Sequence, residues 1–321
     1  MSKIALPSAR RTFELLLSYD CNAKCAFCYN PPLTKEVLAQ SIPFARAAAM
    51  LVKARADGYD GVWLTGGDPT LRPDLAKLLL LSRKLGFSRI QIGTNAVRLA
   101  SEAYASRLVA AGLNYARVSL HAATPEVHDR LLALPGAFDK AVRGIENLRA
   151  RGVYVGLNFV VTSGNAAELP GFFDLCLDRL GVRDFDVIFL HHRGMMDLHG
   201  DELGVRYAAA APHLRAAWKK LEKRGLRRRT PTLVNVPPCV VPELEPWIAD
   251  WSAEGAGDAL TRPGAAAVDL MAMKGAQKMK GPACASCALE PRCLGFEREY
   301  ARRYGDADFA PIKNALTKVP R

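Results

Sequence analysis

Six times between residues 13 and 190 a short apolar or β-branched run gives way to a longer stretch of helical period. That alternation constrains the fold more than any other feature of the chain. The runs place strands at 13–18, 61–65, 89–93, 116–120, 153–160 and 186–190. Amphipathic stretches at 43–56, 73–85, 102–111, 138–151 and 169–180 lie between them, each ended by a glycine or a polar turn. Strands separated by helices cannot pair as hairpins, so they pair in parallel with the helices crossing over the sheet. The expected class is α/β.

A further helical stretch, 207–223, runs into the basic residues Arg224 to Arg229. From about Pro231 the chain turns rich in Pro, Gly and Cys with weak periodicity, as expected of a small region held by metal more than by its own core. Two regions are therefore expected, 10–230 and 231–321. Half of the 321 residues are apolar and 24% are charged, which suits a sizeable core and excludes a disordered or fibrous chain. Subtracting 32 acidic from 44 basic residues gives +12, which favours acidic partners without choosing among nucleic acid, peptide, membrane face and anionic cofactor. No stretch approaches the roughly 18 apolar residues of a membrane span, and the start carries no run of signal-peptide length. A cytoplasmic protein with no membrane partner is expected.

Eight cysteines are too few for a disulfide scaffold in a chain this long, and seven sit in loop-like or clustered settings, where they read as metal ligands. The eighth, Cys176, lies on the apolar helical face Phe172-Phe-Asp-Leu-Cys-Leu and reads as ordinary core. Cys21, Cys25 and Cys28 leave the first strand at spacing C-x3-C-x2-C, so one loop can wrap them round a single metal centre. Thiolates suit iron–sulfur clusters or zinc. With no fourth Cys or His nearby, one iron of a four-iron cubane stays open to an outside ligand, whereas a structural zinc would be closed by four.

The segment Cys21-x3-Cys25-x-Phe27-Cys28, on the loop after a first strand, resembles the signature of the radical S-adenosylmethionine superfamily. The resemblance covers roughly residues 10 to 200. It implies a partial (β/α)6 barrel, a 4Fe–4S cluster whose open iron binds S-adenosylmethionine, and reductive cleavage of that cofactor to a 5′-deoxyadenosyl radical that takes a hydrogen atom from substrate. Gly66-Gly67-Asp68-Pro69 resembles the family's Gly-Gly-Glu-Pro loop for the methionine amino group, with Asp in place of Glu. Thr94-Asn95-Ala96 resembles its Thr-Asn-Gly segment, with Ala where Gly is usual. Ser119 and His121 stand where a polar pair touches the ribose, Arg130 where an arginine pairs with the methionine carboxylate, and Val160 on the strand that packs against adenine. His191, His192 and Arg193, at the end of the sixth strand, are placed to bind an anionic substrate group or transfer a proton.

Cys239, Cys284, Cys287 and Cys293 supply four thiolates, enough to close a zinc site or to ligate a four-iron cluster fully. Beside this core the tail resembles the twitch region, a shortened SPASM domain that carries one auxiliary 4Fe–4S cluster. Where a further cysteine could follow Cys293 there is Glu297. Relatives of that type modify peptides, oxidise alcohols or serve molybdopterin biosynthesis. The last is disfavoured by an ending, Leu-Thr-Lys-Val-Pro-Arg, that lacks the family's glycine-rich terminus. The expected partners are a peptide or small-molecule substrate, an electron donor such as flavodoxin or ferredoxin, and a separate peptide-recruiting protein, because only 20 residues precede Cys21. The alternative is an RNA-modifying radical enzyme or a nucleic-acid-binding protein with a zinc-ribbon tail, suggested by the +12 charge and Arg227, Arg228 and Arg229.

Overall fold

The computed structural model describes residues 4–226, 231–249 and 258–313. The basic residues 227–229 and the chain's last residues lie outside that range. All six expected strands form, displaced by two residues at most: β1 (Thr12–Leu16), β2 (Gly61–Thr65), β3 (Arg89–Thr94), β4 (Tyr115–Ser119), β5 (Tyr154–Val161) and β6 (Phe185–Phe189). Helices Phe44–Ala56, Leu75–Lys84, Glu102–Ala111, Ala137–Ala150 and Tyr207–Lys223 fall where the period put them. The stretch from Leu169 is helical only to Asp174 and then widens into a π turn over Leu175–Arg179. Cys176 is fully buried there.

The segment after residue 230 adds strands that its weak periodicity did not announce: β7 (Thr232–Val234), β8 (Ala259–Thr261) and β9 (Val268–Asp269). The order in the sheet is β7-β6-β5-β4-β3-β2-β1-β8-β9, parallel throughout except between β8 and β9. Among the described residues nothing pairs β7 with β9, so the barrel is partial and open. The late residues thus border both edges of the parallel sheet. Phe296, Tyr300 and Phe309 also pack into the same hydrophobic core as the barrel strands.

Alternation sorts each strand into an outer and an inner row. Phe13, Leu15, Val62, Leu64, Ile90, Ile92, Ala116 and Val118 belong to the large buried core beneath the helices. The inner row is polar. Glu14, Trp63, Gln91, Tyr115 and Tyr154 stand in register across β1 to β5. Arg117 lies in the same interior, 3.0 Å from Asp184 and 3.6 Å from Asp186. Its guanidinium occupies space that a side chain at Gly156 would need, since a Cβ there would fall 2.6 Å from Arg117 Nη1.

Glu14 accepts a hydrogen bond from Thr65 Oγ1 at 3.1 Å, and burial pushes its carboxyl up to about 7 against the opposing pull of Thr65 and Lys274. The unfolded carboxyl therefore loses its proton first, and the native state loses stability as pH rises from about 4.5 to 7. Glu14→Gln removes that loss. Urea unfolding should show the variant gaining up to about 3 kcal/mol on the parent between pH 4 and pH 8; a difference that does not change with pH would contradict the burial of this carboxyl.

Candidate cofactor site

Past its last residue β1 keeps running beside the loop after β2. Leu17 N donates to Thr65 O at 2.9 Å, Gly67 N to Ser18 O at 2.7 Å and Asp68 N to Asp20 O at 2.7 Å. The approach is too close for side chains: a Cβ on Gly66, whose φ is +138°, would lie 2.2 Å from Ser18 O, and one on Gly67 1.9 Å from Asp20 O. The two glycines are needed for backbone against backbone.

The cysteine loop starts from that contact. Cys21, Cys25 and Cys28 are half-buried free thiols. Cys28 N donates to Cys25 O at 3.1 Å, Ala23 N to Cys21 Sγ at 3.4 Å, Lys24 N to Leu132 O at 2.9 Å and Met195 N to Cys28 O at 2.9 Å. Phe27, Leu131, Leu132, Leu190 and Met196 form a small apolar cluster, with Cys21, Cys25 and Val160 packed against it. Burial pushes the Cys21 thiol up to about 12 and raises Cys25 and Cys28 as well, with neighbouring thiols adding to the shift at Cys21 and Cys25. Without a metal these are neutral thiols; a metal binds by replacing their protons.

Asp68 is 1% exposed, and both of its oxygens are engaged. Oδ1 accepts from Thr70 N at 2.9 Å and Thr70 Oγ1 at 2.6 Å, while Oδ2 accepts from Thr94 Oγ1 at 2.8 Å and Asn95 N at 3.0 Å. Burial raises its pKa and these donors work the other way. Asn95 Nδ2 then donates to Asn22 Oδ1 at 2.7 Å, inside the cysteine loop. The two loops expected to touch a cofactor are therefore tied to each other and to the thiols.

His121 is 4% exposed and held neutral by burial and by His128. Its Nδ1 accepts from Val160 N at 3.1 Å, and its ring stands edge-on to Phe27 with centroids 4.8 Å apart. Phe27, His121 and Val160 thus meet, and Ser119 is half-buried two residues before His121. Arg130 is exposed, with Nη2 3.4 Å from Gly164 O. At the end of β6, His191 Nδ1 bonds Glu297 Oε1, His192 N donates to Glu297 Oε2 at 3.3 Å, and Arg193 Nη2 donates to Gln277 Oε1 at 2.5 Å. Nothing in the sequence marks Glu297 as the partner of His191, 106 positions earlier, or Gln277 as the partner of Arg193, 84 positions earlier; only the fold brings them together.

Cys239, Cys284, Cys287 and Cys293 line one cavity beside Pro238 and Phe296. Cys287 N donates to Cys284 O at 3.0 Å and Gly295 N to Cys293 Sγ at 3.3 Å. Burial, and after it the other three thiols, push Cys239 up to about 12. Among the described residues no three His, Cys, Asp or Glu side chains are grouped as a lone metal ion requires. A zinc would need its thiolates about 2.3 Å from one point. A four-iron cubane takes each of four thiolates at a different iron, and four soft donors round one cavity fit it.

The family model of the Radical SAM superfamily matches residues 15–175, 161 residues and just over half of the chain. The protein belongs to that superfamily and is an enzyme of it; the family uses S-adenosylmethionine and a 4Fe–4S cluster. It is 34% identical over 155 residues to the Fe-coproporphyrin III synthase of Methanosarcina barkeri, covering 48% of this chain and 38% of that protein. It is 35% identical over 192 residues to a probable GTP 3′,8-cyclase of Saccharolobus islandicus, covering 57% and 58%. The chain thus spans well under two thirds of either relative. In fold it resembles Streptococcus suis SuiB bound to precursor peptide SuiA, with a TM-score of 0.66, 15% identity, and 96% and 76% of the two chains covered. It also resembles anSMEcpe with bound AdoMet, at 0.65 and 17%, over 93% and 92%.

The glycine contact yields a direct test. After anaerobic reconstitution Gly67→Ala should retain less iron per protein than Gly164→Ala, whose Cβ would meet only ordinary contacts from 3.6 Å outward. Equal iron in the two variants would contradict the dependence of the cysteine loop on this backbone packing.

Proposed function

We propose that the enzyme abstracts a hydrogen atom from a peptide substrate, with Cys21, Cys25 and Cys28 holding the cofactor-binding cluster and Cys239, Cys284, Cys287 and Cys293 an auxiliary one. The observation that carries the reading is the single loop of three thiols seated on Gly66 and Gly67 at the carboxyl end of a parallel sheet. When bound, the cluster supplies the electron that cleaves S-adenosylmethionine to methionine and the 5′-deoxyadenosyl radical. The chain's own residues place and shield that chemistry. Phe27, His121 and Val160 wall one side, Ser119 and Arg130 offer polar contacts to the cofactor, and Asp68 fixes Thr94 and Asn95 instead of meeting the ligand itself.

The peptide reading is supported by the fold likeness to SuiB, which extends over nearly the whole chain. A small-metabolite substrate is the second reading, favoured by the higher sequence identity to the synthase and the cyclase. A flavodoxin or ferredoxin as electron donor, a separate peptide recruiter and a cytoplasmic site complete the proposal. Among the described residues no helix is long and apolar enough to cross a membrane.

Reconstituted protein given reductant and S-adenosylmethionine should form 5′-deoxyadenosine and hold about eight irons, two cubanes of four. Replacing Cys21, Cys25 and Cys28 with Ala should abolish the product and leave about half the iron. Undiminished product would overturn the first assignment, and stoichiometric zinc in the triple variant the second. To choose the substrate class, peptide and metabolite fractions from host cells grown in deuterated water can be offered separately. Deuterium should enter 5′-deoxyadenosine from the peptide fraction; entry only from the metabolite fraction would favour the second reading.

A further inference from the structure

The end of β6 meets the short strand β11 (Phe296–Glu297), which pairs with β10 (Lys278–Met279). At that junction the Glu297 side chain is 7% exposed and faces two histidines. Oε1 bonds His191 Nδ1; Oε2 accepts from the backbone N–H of His192 at 3.3 Å and lies 3.6 Å from His192 Nδ1. Burial alone would raise the Glu297 pKa, but the hydrogen bonds from His191 and His192 hold it well below the usual carboxylate range. Asn235 Nδ2, 3.3 Å from the same His191 nitrogen, donates to Phe189 O at 3.2 Å.

An ionised carboxylate only accepts, so the proton of a neutral His191 must sit on Nδ1 and the lone pair on Nε2. The two histidines then part company. His192 is 3% exposed at its side chain, with both ring nitrogens buried and not hydrogen-bonded, between the rings of Tyr300 and Tyr304 at 5.4 and 5.5 Å. The His191 side chain is 25% exposed, and its Nε2 is not among the buried orphans. The chain on either side of His191 packs against the cysteine loop. Leu190 packs in the apolar cluster that holds Phe27, and Met195 N is bonded to Cys28 O. A Cβ on Gly194 would lie 2.5 Å from Asn30 O, so this loop rests directly on the cysteine loop.

We infer that Glu297 is a positioning residue that locks His191 in the Nδ1–H tautomer, leaving Nε2 as the proton acceptor for a substrate with a hydroxyl, thiol or ammonium hydrogen near the attacked carbon. This rests on the radical reading above. In the step, the substrate's O–H, S–H or N–H bond breaks, its proton passes to Nε2, and the bonding pair stays on the heteroatom. The ring becomes an imidazolium whose Nδ1–H still faces the Glu297 carboxylate, so the new positive charge meets a fixed negative one. His192, for which the sequence suggested the same task, serves as packing.

The test uses diethyl pyrocarbonate on the reconstituted holoenzyme, with modified histidines mapped by mass spectrometry. This reagent needs an accessible unprotonated ring nitrogen, so His191 should react and His192 should not. In Glu297→Gln the amide oxygen is needed by the His192 backbone N–H, which turns the NH2 group toward His191 Nδ1 and forces the ring proton onto Nε2. His191 should then react roughly tenfold more slowly or less, the wrong-tautomer penalty known from catalytic triads being larger still. Glu297→Asp should restore part of the rate. Equal His191 rates in parent and Gln variant would overturn the proposal. If the Gln variant does not fold, 15N shifts of labelled histidine in the parent read the tautomer directly, with His191→Gln assigning the signal; a proton on Nε2 overturns the inference and one on Nδ1 supports it. Parent holoenzyme that forms no 5′-deoxyadenosine would instead indict the radical reading, whatever the histidine chemistry shows.

Discussion

The site depends on the backbone of Ser18 to Asp20 lying directly on Gly66 and Gly67. Two hydrogen bonds of 2.7 Å, Gly67 N to Ser18 O and Asp68 N to Asp20 O, carry the pairing of β1 with β2 past the end of the sheet. They deliver the chain to Cys21 in a fixed direction. Any side chain at the two glycines would collide with backbone oxygen, which cannot move without moving the strand. The loop bearing three thiols is therefore an extension of the sheet, and a flexible metal-binding arm is a poor description of it.

Around that contact the other loops interlock. Asp68 joins Thr70, Thr94 and Asn95, and Asn95 reaches Asn22 between the cysteines. From the opposite side Met195 holds Cys28, and the chain just before it is held through His191 and Glu297 by the cysteine-rich tail. The tail also supplies β7 and β8, which flank the sheet at β6 and β1. A group bound at the four tail thiols would fix Glu297, four residues beyond Cys293, and through it the only one of the two histidines that solvent reaches. The two cysteine sets are thus coupled by covalent proximity and hydrogen bonds.

Periodicity was enough for the six strands and for most helices because each strand buries an unbroken apolar outer row, as at Val62, Leu64, Ile90 and Ile92. The inner row was not legible: Glu14, Gln91 and Arg117 look like surface residues until the sheet curls round them. Cysteine spacing marks Cys21, Cys25 and Cys28, and Cys284, Cys287 and Cys293, because loop ligands are local in sequence, while Cys239, 45 residues before Cys284, reaches its cavity only through the fold. The spacing suggests a ligand-facing carboxylate at Asp68; in the fold Thr70 donates to one of its oxygens and the next loop, 26 and 27 residues on, to the other, a closure that spacing does not encode. In the sequence Glu297 merely stands where a further cysteine could follow Cys293. Its partner His191 is 106 residues away. β7 and β8 leave no mark in the sequence because three-residue strands are too short to show a period, and their placement depends on the exposed edges of β6 and β1.

The central claim is that the loop of Cys21, Cys25 and Cys28 holds a cluster with one iron open to S-adenosylmethionine. Electron paramagnetic resonance on dithionite-reduced protein in which Cys239, Cys284, Cys287 and Cys293 are replaced by Ala isolates that cluster. Adding S-adenosylmethionine should shift the signal, because the cofactor's amino and carboxylate groups enter the iron's coordination. A reduced cluster whose signal is the same with and without saturating cofactor would contradict the account.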